Sequence, residues 1–99
     1  MFDRIAVDFD GTLTKGEAKW WNDEQEQPVN EMLMKVNDLY TQGHTIIIWT
    51  ARPWSEGGKI AGRLTEWSVR FHGIRCGKGS ADLYIDDKAK RPEEVLADE

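Results

Sequence analysis

Apolar positions along the chain fall into short runs that alternate with helical stripes. Ile5-Ala6-Val7 leads through Asp8 to Phe9, and Ile5 to Phe9 reads as a short buried strand. Lys15 to Gln27 is polar, with Trp20 and Trp21 embedded, and reads as an excursion from the core. Pro28 suits the first turn of a helix. Val29, Met32, Leu33, Val36, Leu39 and Tyr40 follow on one helical stripe, which Gly43 stops. The run Thr45 to Thr50, "TIIIWT", lacks polar–apolar alternation, which predicts a strand buried on both faces, with Trp49 in the core. Pro53 ends it. Ser55 is the expected N-cap of a second helix with the stripe Ile60, Ala61, Leu64, Trp67 and Phe71, closed by Gly73. Gly57, Gly58 and Gly62 weaken that helix locally. "IRC", residues 74–76, predicts a short edge strand, "DLYIDD", residues 82–87, a last strand, and Pro92 to Leu96 a closing helical turn.

This order predicts one α/β layered domain with a short, mainly parallel sheet. Ligands of such sheets bind outside the carboxyl ends of the strands. The predicted ends carry Asp8 and Asp10, Thr50, and Asp86 and Asp87. Parallel strands bring all of them to one edge.

Composition narrows the class. The chain has 99 residues, the size of one domain, and a formal net charge of -5. No basic run stands ready to neutralise phosphates, which argues against nucleic acid or an anionic membrane as the main partner. Lys88-Ala89-Lys90-Arg91 is short and soon followed by Glu93 and Glu94. A single cysteine, Cys76, and an opening Met1-Phe2-Asp3-Arg4 without an apolar signal region point to the cytoplasm. No apolar run approaches the roughly 20 residues that cross a bilayer.

Four carboxylates at one edge repel one another unless a cation sits among them. An all-oxygen set favours a hard ion, and Mg²⁺ is commonly held by one or two carboxylates with waters and substrate phosphate. His44 and His72 fall away from this edge. A cation beside phosphate suits phosphoryl transfer. Gly11, Thr12 and Leu13 can present backbone N–H groups to a phosphate, and Thr50 can donate its hydroxyl. Lys78, in the glycine-flanked "CGKGS", can supply a point charge, with Lys59 as its rival. One carboxylate can act as nucleophile and a second as general acid and base. Arg52 is a further candidate phosphate contact, although an arginine so placed is more often structural or exposed.

"DFDGTLT", "WTAR", "GKGSAD" and "YIDD" resemble, in order, the four motifs of the haloacid-dehalogenase-like (HAD) superfamily of phosphatases. The likeness spans about residues 4 to 91, and "YIDDKAKRP" looks like small members linked to capsule or polysaccharide biosynthesis. The resemblance implies a three-layer Rossmann-like core and a Mg²⁺-dependent phosphomonoesterase. Asp8 matches the nucleophile and a metal ligand. Asp10 matches the general acid/base, whose backbone carbonyl also meets the metal. Thr50 matches the phosphate-binding residue of motif II, and Lys78 the motif III lysine. Asp86 matches the acidic metal ligand, and Asp87 a second ligand or a holder of metal-bound water. The acid must carry a proton as the leaving group departs, whereas the nucleophile must stay ionised.

The loops after the first two strands are too short for a large cap, so a capless enzyme is expected, with residues 15–27 as its flap. Trp20 and Trp21 are expected to pack that flap on the core, with substrate contact as the alternative. An open site of this kind accepts bulky substrates or is closed by a partner or a second copy. The expected substrate is a small phosphorylated metabolite, with a sugar phosphate favoured over a nucleotide or nucleic-acid end. A non-catalytic module binding metal and phospho-ligands, or a receiver-like switch, is the alternative outside enzymology. Receivers carry their acidic pair on the first strand and their phosphorylated Asp on a middle one, unlike this chain.

Overall fold

The computed structural model describes residues 4–16, 19–22, 25–77, 83 and 88–97. In chain order these form strand β1 (Arg4–Asp8), helix α1 (Asn30–Thr41), strand β2 (Thr45–Trp49), helix α2 (Gly57–Glu66), strand β3 (Gly73–Arg75) and helix α3 (Pro92–Ala97). The strands make a parallel sheet in the order β1-β2-β3. Val7 pairs with Ile48, Asp8 with Trp49, and Trp49 with Arg75. The chain is therefore a small α/β domain. The last predicted strand, with Asp86 and Asp87, lies outside the described residues apart from Leu83.

Two successive crossovers in one direction, each of the usual right hand, place both connecting helices on one face of a parallel sheet. One cluster shows this. Val7, Ile46 and Ile48 pack with Met32, Leu33 and Val36 of α1 and with Ile60 and Leu64 of α2. Each such side chain, fully buried, contributes about 1.5–3 kcal/mol. Leu96 of α3 packs against the same cluster. The described residues thus show two layers, the sheet and the helices packed on one of its faces.

Burial along β2 alternates, contrary to the two-faced burial read from the isoleucine run. Ile46 and Ile48 are fully buried, Ile47 is half-buried, and Trp49 is 38% exposed. The second face of the sheet borders an open groove of about 560 Å³, lined by Ala6, Ile47, Trp49, Trp54 and Arg75 among others. A β-branched run satisfies a strand whatever covers its faces, so composition could not reveal which side is open.

Three local expectations are corrected. Pro28 precedes α1 rather than opening it, and bridges antiparallel to Thr14. Ser55 sits inside a 3-10 turn, Trp54–Glu56, and Glu56 is the residue that precedes α2. Helix α2 stops at Glu66, and the turn after it puts Ser68 at φ 60°, while Gly73 begins β3 instead of closing the helix. Trp67 and Phe71 reach the core from that connection, Trp67 by stacking on Phe9 at 6.1 Å.

The excursion is stitched at its root. Lys15 N–H donates to the Gln27 carbonyl (3.0 Å), and Val29 N–H donates to the Leu13 carbonyl (2.9 Å). Between them lies a short 3-10 turn, Trp20–Asn22. Trp21 is 65% exposed, so it does not pack on the core as expected. No helix among the described residues is long and apolar enough to cross a membrane.

Candidate functional site at the carboxyl end of the sheet

Strand β1 delivers Asp8 to the sheet edge and then turns sharply. Asp10 (φ -71°, ψ 128°) and Gly11 (φ 79°, ψ 0°) have the geometry of the two central residues of a type II turn. Its third position needs positive φ, which glycine supplies without strain. The turn folds back so tightly that a Cβ on Gly16 would lie 3.1 Å from the Cα of Gly11. Thr14, 1% exposed, ties the two together, for its Oγ1 accepts from the N–H groups of Gly11 and Gly16, each at 3.2 Å. The Gly11 N–H expected to cradle phosphate is therefore engaged by Thr14. Thr12 is half-buried on the same turn.

Asp10 is held by Arg52. Arg52 Nε donates to Asp10 Oδ2 (3.0 Å) and Nη2 donates to Oδ1 (2.7 Å), a two-pronged clasp. The Arg52 side chain is 1% exposed and that of Asp10 35%. Arg52 Nη2 also donates to Glu26 Oε1 (2.7 Å), and Nη1 donates to Glu56 Oε1 (3.3 Å). Its guanidinium lies 5.1 Å from the Phe9 ring centre. Of the two expectations for Arg52, the structural one fits and the phosphate contact is corrected, because its Nε, Nη1 and Nη2 all turn to carboxylates.

Glu26 is the residue the sequence did not disclose. It is 2% exposed at the root of the excursion. One oxygen takes Arg52, and the other accepts from Arg63 Nε (2.8 Å). Burial pushes the Glu26 carboxyl up, but hydrogen bonds from Arg52 and Arg63 outweigh it and hold the group below the ordinary glutamate value. Burial alone would lower Arg52, yet Asp10 and Glu26 raise it above its ordinary value. Arg63 is raised chiefly by its bond to Glu26. Glu26 stands among Glu24, Gln25 and Gln27, 26 residues before Arg52 and 37 before Arg63. No periodicity singles it out.

Thr50 is fully buried just past β2. Its N–H donates to the Arg75 carbonyl (2.9 Å), and its Oγ1 accepts from the Arg52 N–H (3.1 Å). That acceptor bond leaves the hydroxyl hydrogen for donation and fixes where the Arg52 side chain departs. The described residues thus bring Asp8, Asp10, Thr50 and Arg52 to the ends of β1 and β2. Lys78, Asp86 and Asp87 lie outside the described residues, and Lys59 is half-buried in the first turn of α2.

The donor types at this edge fit a hard cation. Asp8 and the Asp10 carbonyl offer oxygen. The Cys76 thiol nearby is buried and pushed up by that burial, so it is no thiolate. His72 is occupied at the other end of β2, where its Nδ1 accepts from the Ile46 N–H (3.0 Å). Among the described residues no three His, Cys, Asp or Glu side chains are grouped to hold a metal.

The fold and edge define a class, an α/β domain with a parallel sheet whose acidic site stands at the carboxyl ends of its strands. The fold is similar to the crystal structure of a structural-genomics target from Vibrio cholerae, with a TM-score of 0.81 and 29% identity. The alignment covers 98% of this chain and 89% of that one. No protein-family model and no curated protein matches the chain.

Proposed function

We propose that this chain is a capless HAD-type, Mg²⁺-dependent phosphomonoesterase of the cytoplasm, acting on a small phosphorylated metabolite, with sugar phosphates favoured. One observation carries the reading. The "DFDGT" segment places Asp8 at the end of the first parallel strand, and a type II turn then presents Asp10 beside it, clasped by the arginine that follows Thr50. A solvated acidic turn would need no buried guanidinium behind it.

In this reading a carboxylate oxygen of Asp8 attacks phosphorus. The Asp8 O–P bond forms, the bond from phosphorus to the leaving oxygen breaks, and a proton passes from Asp10 to that oxygen. Water then attacks the aspartyl phosphate, its proton goes to Asp10, and the Asp8 O–P bond breaks. Thr50 donates to a phosphate oxygen, and Lys78 offsets its charge. Asp8, the Asp10 carbonyl and Asp86 would hold the Mg²⁺, with Asp87 as a second ligand or a holder of its water. The bound ion supplies charge neutralisation among these carboxylates and the phosphate.

A second reading, a nucleotide substrate, has one support. Trp49 and Trp54, 38% and 68% exposed, stand with Arg75 beside the groove near the strand ends, where an aromatic base could stack. Turnover of p-nitrophenyl phosphate with and without Mg²⁺, by wild type and Asp8→Asn, tests the mechanism. Wild type should turn over only with the ion, and the variant should fall to background. Full turnover by Asp8→Asn would overturn the nucleophile. A panel of sugar phosphates against nucleotides decides between the substrates.

A further inference from the structure

We infer that Arg52 is the positioning residue for the general acid Asp10, and that Glu26, at the root of the flap, fixes Arg52 in turn. The inference rests on the phosphatase reading above. A general acid must hold its oxygen within hydrogen-bond reach of the leaving group, and small misplacements are costly. Asp10 stands on a turn, where nothing in the backbone alone sets its side-chain torsions. The clasp from Arg52 Nε and Nη2 sets them, since two parallel bonds fix the carboxylate plane as well as its place.

A carboxylate offers about four lone-pair sites, and the clasp uses one on each oxygen. Two sites remain, one of which carries the proton in the acid form, and 35% of the Asp10 side chain stays exposed.

Arg52 is itself immobilised. Its backbone is tied to Thr50 Oγ1 at one end, and its carbonyl accepts from the Gly77 N–H (2.8 Å). Its guanidinium lies against Phe9, which is fully buried and stacked on Trp67. Glu26 shares the very nitrogen that grips Asp10: Nη2 is 2.7 Å from both Asp10 Oδ1 and Glu26 Oε1. Arg63 anchors the other Glu26 oxygen. Next in sequence to Glu26, the Gln27 carbonyl accepts from Lys15 N–H. The residue that fixes Arg52 therefore stands one position from the contact that closes the flap's root.

The test compares two esters by kcat/KM, which reports the step that releases the leaving group. An alkyl phosphate needs its leaving oxygen protonated. p-Nitrophenyl phosphate does not, because its phenolate leaves without a proton. Arg52→Lys keeps the charge but cannot form the two-pronged clasp. It should lower kcat/KM for the alkyl ester about tenfold or more beyond any loss with the aryl ester. Glu26→Gln, which preserves shape, should shift the ratio the same way by less, and it carries the test if Arg52→Lys melts below the assay temperature. Equal losses on both esters, or none, in the folded variant would make Arg52 merely structural and overturn the inference. Wild type inactive on both esters would instead overturn the phosphatase reading.

Discussion

The two ends of β2 are held in opposite ways. At its amino end Ile46 exchanges two hydrogen bonds with His72, the His72 N–H donating to the Ile46 carbonyl at 2.8 Å and Nδ1 accepting in return at 3.0 Å. Tyr40 stacks on His72 at 4.7 Å, and Arg70 lies 4.8 Å over Tyr40. Ile46 is buried, but Tyr40 is half-buried and His72 and Arg70 are exposed, and the one charge among them faces water. At the carboxyl end Arg52 and Glu26 are sealed against each other and reach the partly exposed Asp10 and Arg63. Removing charges from water costs several kcal/mol per ion, and apolar replacements of a buried pair are often as stable or more so. Fold stability alone therefore gives little reason for the charged end. The amino end shows that this chain can fasten a strand with neutral, solvated contacts. Buried charge is concentrated where the candidate site needs a carboxylate held in one orientation.

Breaking the charged end should have the largest effect on stability. Arg52→Met leaves Glu26 buried with one partner lost, and a broken buried pair costs about 3–5 kcal/mol. Each kcal/mol lowers the Tm of a domain this size by roughly 4–8 °C. Adding Glu26→Leu removes the stranded charge, so the double variant should recover part of the loss. Urea unfolding of the three proteins checks this. A double variant less stable than Arg52→Met alone would mean that Glu26 stabilises the fold independently of Arg52.

Acid should separate the two ends next. The folded Glu26 lies below its ordinary value because Arg52 and Arg63 outweigh its burial. As pH falls past the ordinary glutamate value, about 4.3, the unfolded chain takes up the proton first. The stability that Glu26 contributes is thus present above that range and is lost as pH falls through the lowered folded value. Urea midpoints measured downward from pH 6 should drop less steeply in Glu26→Gln than in wild type. Parallel curves would remove Glu26 from the acid response.

Why Glu26 escaped the sequence, while its neighbours at the site did not, follows from how each signal is written. β1, β2 and the stripe of α1 are local patterns, and they were legible to within a few residues. The placement of Asp8, Asp10 and Thr50 was legible because they stand at or just past the ends of those patterns. Arg52 was legible as structural or phosphate-binding but its partners were not, since a guanidinium recognises phosphate and carboxylate with the same fork. Glu26 acts across 26 and 37 residues of sequence, through contacts that only the tertiary fold creates. The end of α2 was misread for a different reason. Ser68 takes a left-handed conformation more usual for glycine, so the apolar stripe seemed to run on through Trp67 to Phe71.

The smallest effects belong at the amino end. His72→Ala removes the acceptor for the Ile46 N–H and the ring under Tyr40, but the backbone bond from residue 72 to the Ile46 carbonyl survives. Ile46 is fully buried but the His72 side that covers its N–H is open to solvent, so the loss should lie between the net worth of one hydrogen bond, about 1 kcal/mol, and the cost of an unmet buried donor, about 3 kcal/mol. Arg70→Ala should cost less still, because its contacts with Tyr40, the Asn37 carbonyl and Thr41 are all exposed. Neither change touches Asp10 or its clasp, so the alkyl-to-aryl ratio of kcat/KM should stay at the wild-type value in both. A shifted ratio in His72→Ala would show that β2 transmits strain from one end to the other. The carboxyl end would then owe its geometry to the whole strand rather than to the buried ions around Arg52.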